Sequence, residues 1–191
     1  LASQATTLYH AGVRPVHRST LAYANKHRSY ELFEKIFVWM LSKCKPVAPE
    51  HKFKFKNPLY SIDATTIKLC LSLFNWAKFR TTKGAVKLHV KLNHSGYLPT
   101  FARITPGKVH EGRVAPHIPL EKGDVAVFDR AYTDFAWFAI LCERGTYFVT
   151  RLKKNANYRV VERKSTDHLK NITSDQIIEF TGVTTKKKMP Y

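Results

Sequence analysis

The chain has 191 residues, 44% of them hydrophobic and 13% aromatic, and its 32 Lys and Arg against 14 Asp and Glu give a formal charge of +18. Enough apolar residues for a packed core in one or two domains exclude a disordered basic tail. The excess charge is spread, +7 over residues 1–57, +6 over 58–130 and +5 over 131–191, so no segment is a detachable arm, and a field of one sign suits a polyanion such as DNA or RNA.

Residues 1–45 predict a helical segment. The stretch 12–25 reads as a turn, a Ser19 or Thr20 cap and a short helix bearing Arg14, Arg18, Lys26 and Arg28. Leu32, Phe33, Ile36, Phe37, Met40 and Leu41 then recur at helical spacing, which predicts an amphipathic helix over 30–43. The pair could be a helix-turn-helix DNA reader, but an ordinary helical hairpin with a solvated basic face is the reading favoured here. Pro46, Pro49 and Pro58 bracket a basic linker over 46–58.

After Pro58 the pattern changes to strands, predicted over 59–64, 85–92 and 98–104, with the turn 93–96 joining the last two. Lys87-Leu-His-Val-Lys91 alternates as a half-exposed strand should. A short helical stretch over 111–117, a strand over 125–129, a helix over 134–144 and a strand over 147–152 complete a core spanning 59–152. The expected architecture is α/β, a mixed sheet with helices on its faces. Residues 153–191 are more polar, with apolar runs only at 158–161 and 177–180, and end in no terminating element. Because the chain also opens at Leu1, a fragment is expected.

Cys44, Cys70 and Cys142 are too few and too scattered for a zinc site or a disulfide framework, which suits a reducing cytoplasm. The most apolar stretch, 69–76, is far shorter than the ~20 residues of a membrane span. His89, His94 and His110 have no spacing that supports a transition-metal site. Phe74, Trp76 and Phe79 could stack on bases, although packing is the commoner role of such residues.

Two aspartates stand out, Asp63 in the first core strand and Asp129 at the end of the fourth. A carboxylate in an apolar strand is costly unless paired or metal-bound, and the two would share one acidic pocket if their strands are neighbours. Oxygen ligands of this kind suit Mg²⁺ or Mn²⁺ alongside phosphate oxygens, as in two-metal phosphodiester chemistry. Asp124 reads instead as a turn residue and Asp134 as a helix N-cap. Among the cations, Lys83 and Lys87 are the first candidates to line a DNA channel, with Lys78, Arg80 and Arg151 beside them.

The chain resembles bacterial insertion-sequence transposases of the DDE type, in particular the IS-four-like group with an RNase H-like catalytic core. The resemblance rests on Ser61-Ile-Asp63-Ala-Thr-Thr-Ile67, Lys83-Gly-Ala-Val-Lys-Leu-His89, Pro106-Gly-Lys-Val-His110-Glu111, Phe128-Asp129-Arg130-Ala-Tyr132-Thr-Asp134 and Tyr147-Phe-Val-Thr-Arg151. It implies that Asp63 and Asp129 are the first two metal-binding acids and that Arg130 and Tyr132 support them near the DNA. It also implies double-stranded DNA as partner, at transposon ends and target, with two Mg²⁺ or Mn²⁺ ions in the intact enzyme and room for a homodimer in a synaptic complex. The family's third motif has Arg three positions after a Tyr and then a Glu, but no tyrosine of this chain has Arg at that spacing. Residues 153–191 would then begin a β-rich insertion, and little or no catalysis is expected. Two rivals stand beside it: a self-contained RNase H-like nuclease or resolvase using Glu111 or Glu143 as third acid, and a non-catalytic DNA-binding remnant.

Overall fold

The computed structural model describes Gly12 and residues 16–69, 78–80, 83–166 and 171–189, with backbone alone for 78–80 and Lys83. Cys70, Phe74 and Trp76, and the side chains of Lys78, Phe79, Arg80 and Lys83, therefore lie outside the described residues. The chain divides into two compact units, Leu1–Pro46 and Val47–Tyr191.

The first unit contains helices α1 (Arg18–His27) and α2 (Glu31–Cys44). Neither Ser19 nor Thr20 caps α1; the cap lies two residues before Ser19, at His17, its ring accepting from the Ser19 N–H. Neither helix buries a residue, and α2 leaves Leu32, Phe33, Val38, Trp39 and Met40 exposed.

In the second unit the strands are β1 (Leu59–Leu69), β2 (Lys78–Arg80), β3 (Lys83–Asn93), β4 (Leu98–Pro106), β5 (Val125–Phe128) and β6 (Tyr147–Thr150). β1, β3 and β4 pair antiparallel, while β5 joins β1 and β6 joins β5 in parallel; the short β2 pairs with the start of β3. The β3–β4 turn is tight. Gly96 sits at φ +70°, and a Cβ there would come within 2.8 Å of the Ala48 Cβ, so glycine is required twice over. Helix α3 (Phe135–Glu143) crosses from β5 to β6. The Asp134 carboxylate caps it by accepting from the Ala136 N–H at 2.9 Å, and Gly145 in the left-handed region ends it. Beyond β6, strands β7 (Tyr158–Lys164) and β8 (Asp175–Phe180) form a separate antiparallel hairpin, followed by the short helix α4 (Val183–Lys188).

One face of the sheet carries the core. The register sets Tyr60 beside Ala126 and Ile62 beside Phe128, and strand alternation sends these side chains to a common side. Trp137, Phe138 and Leu141 of α3, with Val114, Ala115, Ile118 and Leu120 of the β4–β5 connection, pack against them. Phe128 is central, its ring 4.9 Å from that of Trp137 and 5.8 Å from that of Phe138.

On β3 the alternation runs opposite to the usual polarity. Lys87, His89 and Lys91 pair in register with Thr66, Ala64 and Ile62, so the polar set lies on the core side. The reason is the β4–β5 connection, two short 3-10 turns (Glu111–Arg113 and Ala115–His117) rather than a regular helix, whose backbone carbonyls need donors. Lys87 donates to the carbonyl of Val109 at 3.0 Å and Lys91 to that of Pro119 at 2.6 Å, with the Lys91 ammonium 4.3 Å from the Tyr60 ring centre.

The other face is open only in part, since Val86 on it is buried. Ile67, Ile104, Tyr147 and Val149 are 43%, 64%, 63% and 57% exposed there. Such a patch favours self-association. Ile104→Lys with Val149→Lys is expected to reduce it in sedimentation velocity while leaving stability within about 0.5 kcal/mol, as surface changes do.

Candidate functional site

The parallel register carries Asp63 and Asp129 together. Ile62 pairs with Phe128 and Phe128 with Thr150, so the next row across three strands is Asp63, Asp129 and Arg151. Neighbouring strands lie about 4.8 Å apart, and alternation turns Asp63 to the face opposite Ile62, while Asp129 and Arg151 stand just past the ends of β5 and β6. Both acids are exposed, which overturns the premise that they are buried charges seeking compensation. They are instead two like charges side by side at the rim of the sheet. Asp63 accepts from the Ala64 N–H at 2.8 Å through Oδ1, and both oxygens of Asp129 face Nη2 of Arg151 at 3.3 and 3.4 Å.

Asp129 opens into a groove of about 420 Å³ lined by His110, Arg130, Ala131, Lys153, Lys154 and Asn155. Arg130 is exposed beside it. Lys153, Lys154 and His110 were not singled out for this role in the sequence. The signal was there for the lysines: a pair of cations two and three residues past Arg151, where the chain leaves β6.

Two sequence assignments change. Tyr132 is 1% exposed, so it presents nothing to DNA. Its hydroxyl is 3.2 Å from His89 Nδ1, and His89 Nε2 is 3.0 Å from the Thr105 hydroxyl, a buried polar chain running from the turn after Asp129 to β4. Burial, with the charges of Asp63 and Glu111, pushes the Tyr132 phenol well above its ordinary value, which keeps it protonated. Lys87 is not a free DNA-channel cation, because its ammonium is 2.6 Å from Glu111 Oε1 and only 15% of its side chain is exposed. The same pair ties up Glu111, one of the two candidates for a local third acid. Among the described residues no three His, Cys, Asp or Glu gather closely enough to hold a metal ion.

Burial disfavours the Glu111 carboxylate, but the Lys87 hydrogen bond and charge outweigh it, and its pKa lies below the ordinary value. A depressed carboxylate contributes stability that is complete above the unfolded pKa of about 4.3 and is lost as pH falls through the folded value. Lys87→Ala should therefore destabilise the chain by about 2 kcal/mol at pH 7, with the gap to wild type narrowing below about pH 4. Urea melts at pH 7 and 3.5 check this; an equal gap at both would sink it.

A family model described as a transposase DDE domain matches residues 54–188. The chain belongs to the transposase DDE domain family. It is 28% identical over 170 residues to the "Probable transposase for insertion sequence element IS5377" of Geobacillus stearothermophilus, covering 89% of this chain and 44% of that protein. It is 28% identical over 144 residues to y4zB of Sinorhizobium fredii, also named as a transposase, covering 75% of this chain and 39% of that one. The chain thus spans less than half the length of these relatives. No solved structure matches. The mixed α/β sheet is that of an RNase H-like DDE transposase core, and catalysis in this family depends on divalent metal.

The transposase row fits such a metal in part. Asp63 and Asp129 offer hard, exposed oxygen donors on adjacent strands, and cations such as Mg²⁺ accept one or two carboxylates and fill the remaining positions with water and phosphate oxygens. No described helix is long and apolar enough to cross a membrane.

Proposed function

We propose that this chain forms the DNA-engaging core of an insertion-sequence transposase, with Asp63 and Asp129 as two of the acids that hold divalent cations against a phosphodiester. The observation that carries it is the transverse row, in which the sheet register sets both acids side by side, exposed, on the rim of a protein of charge +18. Bound there, a divalent cation supplies Lewis-acid polarisation of the phosphate and activation of the attacking oxygen, in the intact enzyme by a pair of ions. The chain's own residues bind and orient: Arg130, Lys153 and Lys154 neutralise the DNA backbone beside Asp129, and Asp63 and Asp129 fix the metal relative to it. With Glu111 held by Lys87 and, among the described residues, no third acid gathered at the row, the chain alone should catalyse little, and cleavage of transposon ends with joining of a 3′-hydroxyl to target DNA belongs to the intact protein. Such work takes place where the bacterial chromosome is, in the cytoplasm.

The test is duplex binding across a salt series. Binding should weaken steeply with salt, Lys153→Gln and Lys154→Gln should each lower the log-log slope by about 1, and Mg²⁺ should strengthen binding only while Asp63 and Asp129 are intact. Binding indifferent to Mg²⁺ and to both Asp→Asn changes would reduce the chain to a DNA-binding remnant; Mg²⁺-dependent nicking by the chain alone would restore the self-contained nuclease.

A further inference from the structure

Charged pairs in the second unit range from short, Lys87 to Glu111 at 2.6 Å and Arg159 Nε to Glu179 at 2.7 Å, to long, Lys56 to Glu50 at 3.5 Å. The Arg151–Asp129 pair is long, at 3.3 and 3.4 Å, with side chains 74% and 47% exposed. An exposed pair of this length contributes almost nothing to stability. Its placement is nevertheless fixed, because the β5–β6 register puts Arg151 next to Asp129 whatever its rotamer.

We infer that Arg151 is a displaceable counter-cation, holding Asp129 while no metal is bound and passing to a DNA phosphate when metal and DNA arrive. The inference rests on the metal-binding reading of Asp129. Nη2 faces both carboxylate oxygens, the atoms a hard divalent cation takes, and a guanidinium and a dication cannot share that space without strong repulsion. A released arginine has an anionic partner to take up. The groove beside Asp129 already gathers Arg130, Lys153 and Lys154, and the planar guanidinium fork matches a phosphate as well as a carboxylate. Arg151 thus has two exclusive partners, and linkage follows: DNA that draws Arg151 away raises metal affinity at Asp129, and metal that frees Arg151 raises DNA affinity by the same factor. The consequence is an acid pair that resists loading with metal until a substrate backbone is in place.

The experiment is a Mn²⁺ titration of the whole chain followed by electron paramagnetic resonance, comparing wild type with Arg151→Gln, Arg151→Lys, Arg130→Gln and Asp129→Asn. Arg151→Gln should tighten Mn²⁺ binding by roughly threefold or more. Arg130→Gln removes the same charge from the groove beside Asp129 without a bond to Asp129, and should change affinity by less than about twofold. Arg151→Lys keeps the charge but loses the fork, and should fall between them; it also serves if the Gln variant folds poorly by circular dichroism. Equal effects of Arg151→Gln and Arg130→Gln would reduce Arg151 to background charge and overturn the inference, as would no effect of either. Asp129→Asn binding Mn²⁺ like wild type would instead remove the metal reading itself, an outcome separable from failure of the Arg151 role.

Discussion

Asp63→Asn is expected to weaken Mn²⁺ binding at least tenfold and, in the absence of metal, to raise the melting temperature. The two effects have one cause. Adjacent strands place two carboxylates on one row, and two like charges about 5 Å apart in a water-exposed setting repel by roughly 0.5–1 kcal/mol. A dication converts that repulsion into attraction to both groups, so removing one charge relieves the metal-free chain and harms the metal-bound one. For a chain of this size the relief amounts to about 1–3 °C in the melting temperature. Asp129→Asn should lose metal affinity equally and gain a similar margin of stability, because the exposed Arg151 pair it gives up contributes almost nothing. Calorimetry with and without Mn²⁺ reads both quantities. A wild-type chain with no Mn²⁺-induced upward shift, or an Asp63→Asn variant that keeps the shift, would dissociate these carboxylates from metal. Stability sacrificed at a site in exchange for ligand affinity is the signature of a functional position rather than a structural one.

The strands, their turns and the two acids themselves were legible because each depended on local pattern, whereas the order of the sheet and the pairing of β1 with β5 that makes the acids neighbours were not, being long-range. The strand pattern over 59–64, turn residues at 93–96 and the Asp134 cap are short-range signals, and the structure reproduces them. The first three expected strands extend past their limits, β1 to Leu69 because β3 still pairs with it there, while the strands expected over 125–129 and 147–152 end earlier, at Phe128 and Thr150. What the sequence concealed was which side of β3 faces inward. Period two separates Lys87, His89 and Lys91 from Leu88, Val90 and Leu92, but it is silent on which set is buried. Here long-range partners decide: Glu111, Tyr132 and the carbonyls of Val109 and Pro119 each give an inward polar group a bond, and none of them is near β3 in sequence. Tyr132 was misplaced for the same reason. A tyrosine three residues past a metal-binding aspartate looks exposed until its partner on β3 is known. Arg151 was singled out for its charge, but its contact with Asp129 required the β5–β6 register.

The second large effect is expected from that buried tyrosine. Tyr132→Ala should destabilise the chain by about 3–5 kcal/mol, since it removes a fully packed ring from beside Phe128 and leaves a cavity. Tyr132→Phe keeps the ring and removes only the hydroxyl facing His89, for about 1 kcal/mol. The milder variant is the informative one. The Tyr132 N–H bonds the Asp129 carbonyl at 3.0 Å, so the side chain anchors the turn on which the second acid sits, and loosening it should lower Mn²⁺ affinity although no atom of Tyr132 lies at the acid row. A pH signature accompanies it. Burial lowers the His89 pKa, so the imidazole is neutral when folded, and stability is complete above the unfolded value of about 6.5 and declines as pH falls toward the folded one. Wild type should therefore lose stability between pH 7.5 and 5, and His89→Gln, which cannot take up the proton, should be less stable at pH 7.5 yet flatter over that interval. Urea melts at both pH values, with Mn²⁺ titrations of the Phe variant, test the chain from both ends. Unchanged metal affinity in a folded Tyr132→Phe would confine the Tyr132–His89–Thr105 network to stability, while an equally steep pH dependence without His89 would assign the titration to another group.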